Sequence, residues 1–191
     1  MQAAHDLLAE GNSYTELSIE QIAARAGISR SAFYFYFRDK RELLIRMVER
    51  VSELFYQEAD VWWQEEAQQA SGPDLKATLM TVLGIWRKNA PLLSAIVETS
   101  GYDPEVAAVW GGIMGQFVDA TRAHIEQEQK AGRASDVPAE ATAYVLVWMT
   151  ERIWYQHVMK PTRISDDDLV EALTNVMLSA VYGKIEAPEP S

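Results

Sequence analysis

The chain has 191 residues, enough for one domain with a sizeable core or for a small module joined to a larger one, and its 48% hydrophobic and 24% charged residues are those of a globular protein. No apolar run approaches the ~18 residues of a membrane span, Met1 leads into a helical pattern rather than a basic, apolar leader, and the absence of cysteine excludes disulfides and thiolate metal ligands, so a cytoplasmic protein away from membranes is expected. The net charge of −11 argues against a DNA binder until its distribution is seen: residues 1–50 hold seven Lys+Arg and seven Asp+Glu, so the whole excess of acid lies beyond them.

Helix signals recur along the chain and no stretch alternates as a strand, which predicts an all-α fold. The first helix spans about 1–10 and is closed by Gly11-Asn12; the second spans 19–26 and is closed by Gly27; the third spans 30–36. Ser18 is placed to cap the second with Gln21 reaching back, Ser29 to cap the third, and Asp39 with Glu42 to form a capping box on the fourth. That fourth helix runs to about Gln69, where Ser71-Gly72-Pro73 breaks it. Further helices open at Asp74, at Pro91, at Asp103-Pro104 (to about Lys130), at Pro138 (to Met159) and at Ser165, where Asp166, Asp167 and Asp168 fill the first turn and read as dipole complementation rather than a metal site. From Ile185 the chain is rich in Pro and Glu and reads as a frayed tail.

The second and third helices have the grammar of a helix-turn-helix. Two short helices crossing at a fixed angle need small residues at the crossing, glycine at the turn and an apolar residue after it, and Ala23, Ala26, Gly27 and Ile28 supply them. Arg30, Ser31 and Tyr34 then fall within about 100° of arc, where a reading helix presents side chains to base edges, while Phe33 points towards a core. Lys40 and Arg41 open the fourth helix, where the macrodipole disfavours cations; phosphate as a partner would explain them, and composition alone accounts for them equally well as charges on a solvated face. The run Phe33-Tyr34-Phe35-Tyr36-Phe37 is ambiguous, because so dense an aromatic run is usually core but two of its members carry hydroxyls that suit phosphate contacts at a helix end.

The stretch from Ser18 to Leu44, with Phe33, Tyr34, Phe37 and Lys40 at their characteristic spacing, resembles the N-terminal domain of TetR-type transcriptional regulators. The resemblance implies base contacts from Arg30 and Ser31 and phosphate contacts from Ser18, Tyr34, Tyr36 and Lys40 of double-stranded operator DNA. It departs at the start, because such regulators commonly carry a basic segment ahead of the first helix and here Met1 falls inside that helix. The body is similar to EthR-type repressors, on Trp110-x-x-x-Met114-x-x-Phe117-x-x-x-Thr121 and Thr150-Glu151-Arg152-x-Trp154-Tyr155. That likeness implies a pocket for a small hydrophobic effector lined by Trp86, Trp110, Met114, Phe117, Thr121, Thr150, Trp154 and Met177, with Thr150 a weaker polar anchor than the amide found there in relatives.

All six tryptophans lie outside the first fifty residues, as a bundle that buries large aromatics or lines a pocket with them would have it. Gly111-Gly112-x-x-Gly115 follows no strand and reads as a place where a neighbouring helix approaches or a ligand finds room. The helices at about 138–159 and 165–183 are apolar over a broad stripe that includes Val145, Trp148, Ile153, Leu169, Leu173, Val176 and Ala180, and the resemblance pairs them across a two-fold axis as a homodimer. The expected organisation is a helix-turn-helix DNA-binding domain over 1–46, a ligand-binding and dimerisation domain over 47–184 and a tail over 185–191, with no cofactor and no metal. The rival readings are an enzyme, because Glu151, Arg152, Tyr155 and His157 stand close on one helix, and a helical ligand-binding protein whose head does not act on DNA. No nucleophile, metal triad or Gly-rich cofactor loop accompanies the four.

Overall fold

A computed structural model describes residues 1–64, 72–160 and 162–183. Among them the chain is helical throughout, in the order α1 (Gln2–Ala9), α2 (Ile19–Arg25), α3 (Arg30–Tyr36), α4 (Lys40–Gln64), α5 (Gly72–Lys88), α6 (Ala90–Ser100), α7 (Pro104–Lys130), α8 (Ala139–Met159) and α9 (Asp166–Tyr182). The expected end of the fourth helix near Gln69 and the tail from 185 lie outside the described residues, as do the side chains of Trp62 and Trp63.

Local chemistry sets the helix starts. Ser18 accepts from the Gln21 amide at 3.2 Å while Gln21 Oε1 accepts from the Ser18 amide at 2.8 Å, a complete capping box, and Ser29 accepts from the Ala32 amide at 3.1 Å. Ser165 caps α9 in the same way through the Asp168 amide at 3.1 Å. The third predicted box is only half made. Asp39 Oδ1 does cap the Glu42 amide at 2.8 Å, but the Glu42 carboxylate reaches one residue further back, to the Arg38 amide at 2.7 Å, because the Arg38 guanidinium holds it there at 3.0 Å.

The helices gather into two compact units, one made of Met1–Leu54 with Arg87–Ile113 and the other of Phe55–Trp86 with Met114–Ser191. In the first, α1 packs on α2 and on α6, and α2 packs on α3. Its core takes Leu8, Ile22, Ala23 and Phe33 from the N-terminal helices, Leu17 from the loop before α2, Leu43, Leu44 and Val48 from α4, and Leu92, Leu93 and Ile96 from α6. The turn between α2 and α3 is made at Gly27, whose φ of +68° is a conformation an L side chain adopts only with strain. In the second unit α8 packs on α9, and Leu75, Leu83, Ile125, Leu146, Trp154, Val170 and Val181 are fully buried or nearly so.

Two readings of the body change. Leu173 is 3% exposed and belongs to the protomer's own core, so it is withdrawn from the outer stripe, where Tyr144, Val145 and Val176 are the exposed apolar residues. A Cβ built on Gly111, Gly112 or Gly115 meets no heavy atom within 4 Å among the described residues, so these glycines do not serve close helix approach.

Because a Cβ on Gly27 would likewise meet nothing within 4 Å, Gly27→Ala isolates the backbone term alone. It should lower the unfolding free energy by about 1 kcal/mol, read from the denaturant midpoint at unchanged slope.

Candidate functional site

Helix α3 is short, capped by Ser29 and anchored through Phe33, which is 1% exposed and stacks obliquely on Phe37 at 5.3 Å between centroids. With that side fixed, the opposite side stands in solvent: Arg30, Ser31, Tyr34, Phe35 and Tyr36 are all exposed. Phe35 is the surprise. At 84% exposure it is among the most exposed large apolar side chains described, although so dense an aromatic run is usually core. Only Phe33 is buried; Phe37 is half-buried, and Tyr34 and Tyr36 are exposed at 45% and 57%. Periodicity held the signal, since a helix with Phe33 inward must turn Phe35 away from that core by about 200°.

Arg30 lies 2.8 Å from Glu20 on α2 and also reaches over the Tyr34 ring at 5.7 Å. The three side chains form a surface chain of carboxylate, guanidinium and phenol. Ser18, half-buried at the start of α2, uses its oxygen as a cap and keeps its hydroxyl hydrogen for another acceptor.

Lys40 is employed differently from the expectation. Its ammonium donates to three backbone carbonyls, those of Tyr14 at 2.7 Å, Thr15 at 3.1 Å and Leu17 at 2.7 Å, and stands 4.7 Å from the centre of the Tyr14 ring. Tyr14 in turn donates its hydroxyl to the Lys40 carbonyl. An ammonium has three protons, so all are committed within the head. Partial burial lowers the Lys40 pKa, and burial raises that of the Tyr14 phenol, next to Asp39. Arg38 and Arg41 are committed as well: Arg41 pairs with Asp103 at 2.6 Å and Glu105 at 2.7 Å, and Arg38 with Glu42 at 3.0 Å and Glu105 at 3.4 Å. These pairs join the start of α4 to the start of α7 within the first unit.

In the second unit, seven of the eight residues expected to line a pocket divide between buried and half-buried. Trp86, Met114, Thr121, Trp154 and Met177 are 1–7% exposed, and Phe117 is half-buried against Tyr56 at 5.7 Å. Trp110 is 8% exposed but falls in the first unit, one helical turn before Met114 on α7. Thr150 is half-buried and its hydroxyl donates to the Leu146 carbonyl at 2.7 Å. Beside it the sequence reading passed over a sharper feature as a site residue. Glu151 is 4% exposed, neither carboxyl oxygen has a hydrogen-bond partner among the described residues, and burial pushes its pKa above the ordinary carboxylate range.

In the cluster that suggested an enzyme, the residues other than Glu151 are engaged with neighbours. His157 is held on both ring nitrogens, by Asp166 at 2.9 Å and Thr162 at 3.0 Å, and Arg152 lies over the Tyr155 ring at 5.1 Å. Among the described residues no group of three or more His, Cys, Asp or Glu is arranged to hold a metal ion, and no helix is long and apolar enough to cross a membrane.

Residues 1–47 match the family model of bacterial regulatory proteins of the tetR family, and residues 75–183 match that of the transcriptional regulator EthR, C-terminal domain. Among curated proteins, the HTH-type transcriptional regulator EthR of Mycolicibacterium smegmatis is 26% identical over 183 residues, covering 93% of this chain and 82% of the relative. EthR of Mycobacterium tuberculosis is 25% identical over 188 residues, covering 95% and 85%. The fold is shared with SmeT, the repressor of a Stenotrophomonas maltophilia multidrug efflux pump (TM-score 0.72, 19% identity, 99% of this chain and 95% of that one). It is shared too with the transcriptional regulator FadR of Bacillus subtilis, crystallised with stearoyl-CoA (TM-score 0.72, 17% identity, 96% of each chain).

Two expected outcomes follow from the geometry. Lys40→Met leaves three carbonyls without their donor, so unfolding should become easier by about 2 kcal/mol in a denaturant titration, an effect that a side chain serving DNA alone would not produce. For Glu151, a folded pKa above the unfolded value means that its favourable contribution is complete below about pH 4.3 and is lost as pH rises through the raised value. Glu151→Leu should therefore be more stable than the parent at pH 7, by about 1 kcal/mol or more, with the gain shrinking towards pH 4.5. A gain that stays constant across that range would contradict a buried carboxyl whose charged form is disfavoured.

Proposed function

Because this chain belongs to the TetR family of bacterial regulatory proteins and carries the C-terminal domain of EthR-type transcriptional regulators, we propose that it is a repressor that binds a palindromic operator as a homodimer and is released by a small hydrophobic effector. The relatives and the family are transcriptional regulators rather than enzymes. The reading divides the chain into a DNA-binding domain over 1–46 and an effector and dimerisation domain over 47–184, in a cytoplasmic protein.

The observation that carries the DNA part is the exposed face of α3, presented by a helix that is capped at its start and anchored by one buried phenylalanine. A major groove admits such a helix, and its residues divide by chemistry. Arg30 and Ser31 take base edges; Tyr34, Tyr36 and the free hydroxyl hydrogen of Ser18 take phosphates. Phe35 has no polar function, and an apolar side chain standing in the groove meets the thymine methyl group. Lys40 serves phosphate through its charge and by fixing the loop before α2, its three protons being engaged.

The effector part rests on the buried and half-buried aromatic and sulfur side chains that the second unit takes from α5, α7, α8 and α9, namely Trp86, Met114, Phe117, Trp154 and Met177, with Thr121 and Thr150 among them. Tyr144 and Val145 on α8 and Val176 on α9, between 48% and 59% exposed, support a two-fold interface of these helices. A dimer also supplies the second head that a palindrome needs. Control then passes along α7, whose start is ion-paired to the start of α4 through Asp103 and Glu105.

Selection of bound fragments from random DNA tests the reading and should return an inverted repeat; no salt-dependent affinity for any duplex would end it. With that site in hand, Arg30→Ala should relax preference at one base position by about 1–3 kcal/mol. Phe35→Ala should relax preference for thymine at a neighbouring position by about 0.8 kcal/mol, a few-fold in affinity. Equal, sequence-independent losses from both would contradict base reading by this face.

A further inference from the structure

Among the described residues, two polar groups of α8 are sealed from solvent without a hydrogen-bond partner. Glu151 is 4% exposed with both carboxyl oxygens unmet, and Trp154 is 1% exposed with its indole Nε1–H unmet. Buried polar groups are nearly always paired, so an unmet one calls for an explanation, and two of them lie three residues apart on one face of α8. Their own helix does not close them. The nearest cation, Arg152 Nε, stands 3.7 Å from Glu151 Oε2 on a side chain that is 53% exposed, and Thr150 has turned its hydroxyl to the Leu146 carbonyl. What remains on this part of α8 is one N–H donor and one carboxyl.

We propose that Glu151 and Trp154 form the polar end of the effector site and that they recognise an apolar compound with a neutral carboxamide head, whose carbonyl accepts from Trp154 Nε1 and whose N–H donates to the Glu151 carboxyl. This rests on the reading of the body as an effector domain and adds the head group. Other heads meet the pair less well. A carboxylate accepts from Trp154 but sets a second acid against Glu151. An ammonium donates to Glu151 but leaves the indole N–H unmet, and desolvating a full charge costs far more than desolvating an amide. A hydroxyl offers both functions from a single atom, whereas an amide offers them from two and so spans two separate partners. The rest of the compound is apolar because the large buried side chains of this unit, Trp86, Met114 and Met177 among them, are apolar.

The test uses the full chain and three probes with the same alkyl tail, octanamide, octanoate and octylamine, titrated by calorimetry. Octanamide should bind at least about 10-fold tighter than either charged probe, the scale of one well-made buried hydrogen bond. Trp154→Phe, which removes the N–H donor along with one of the indole's two rings, and Glu151→Leu should each weaken octanamide about 5–10-fold, while Glu151→Leu also weakens octylamine relative to octanoate. Each variant's own thermal midpoint reports whether it folds. Equal binding of all three probes, or octanamide affinity unchanged in both folded variants, would overturn the head-group assignment while leaving an apolar site. Binding of none of the three would remove the effector-site reading itself, and the assignment with it.

Discussion

The loop that leads into α2 is held to the start of α4 by one ammonium group. Lys40 gathers the carbonyls of Tyr14, Thr15 and Leu17, and the Tyr14 hydroxyl returns a hydrogen bond to the Lys40 carbonyl, so the contact closes as a ring between two segments 26 residues apart. Between those segments lie α2 and α3. Ser18, the cap of α2, follows the last of the three carbonyls by one residue, so the latch fixes where the reading helices begin. Hydrogen bonds from a charged donor are about twice as strong as neutral ones, and a latch of three tolerates the loss of solvent that a packed head requires.

The same head shows how a neutral segment remains a DNA-binding one. Six of its cations are already engaged: Arg25 with Glu10, Arg30 with Glu20, Arg38 with Glu42 and Glu105, Lys40 with carbonyls, Arg41 with Asp103 and Glu105, and Arg46 with Glu42. Surface pairs of this kind are worth about 0–1 kcal/mol each, so phosphate or a guanine edge exchanges easily for a carboxylate. Arg30 illustrates the trade. Glu20 and Tyr34 hold its guanidinium on the exposed face of α3, and in the role proposed for it the side chain would enter the groove with less rotamer freedom to lose than a free arginine. Each released acid also repels DNA, which keeps the head from binding any duplex merely because it is charged.

Features governed by near neighbours were legible in the sequence. The caps at Ser18, Ser29 and Ser165 depend on residues three positions apart, and each formed where spacing placed it. The turn at Gly27 was legible for the same reason, since only its own φ is at issue. Features settled by distant contacts were not. Nothing near Lys40 announces that its ammonium meets carbonyls more than twenty residues away, and nothing near Arg41 announces Asp103. Leu173 looked like its outer-stripe companions because periodicity marks an apolar face but not which of two apolar surroundings receives it. Phe35 was not legible for a related cause: a five-residue aromatic run hides the period, and only the burial of Phe33 reveals which ring points out.

Glu151 marks where local reading reaches its limit in the body. A glutamate three residues before a tryptophan looks like any polar residue on an amphipathic helix, and only three-dimensional burial turns the pair into an unmet acceptor beside an unmet donor. Groups of this kind lower the stability of the empty protein, and a chain that keeps them while building a well-filled core around Leu146, Val170 and Val181 holds a local conflict in an otherwise consistent fold. Such a conflict has a consequence for regulation. A compound shifts a conformational equilibrium only by its differential affinity for the two states, and the steepest difference comes from polar groups unmet in one state and met in the other. The unmet pair on α8 therefore offers an effector more leverage than apolar contact alone, because apolar surface already packed in the empty protein gains little from being packed again.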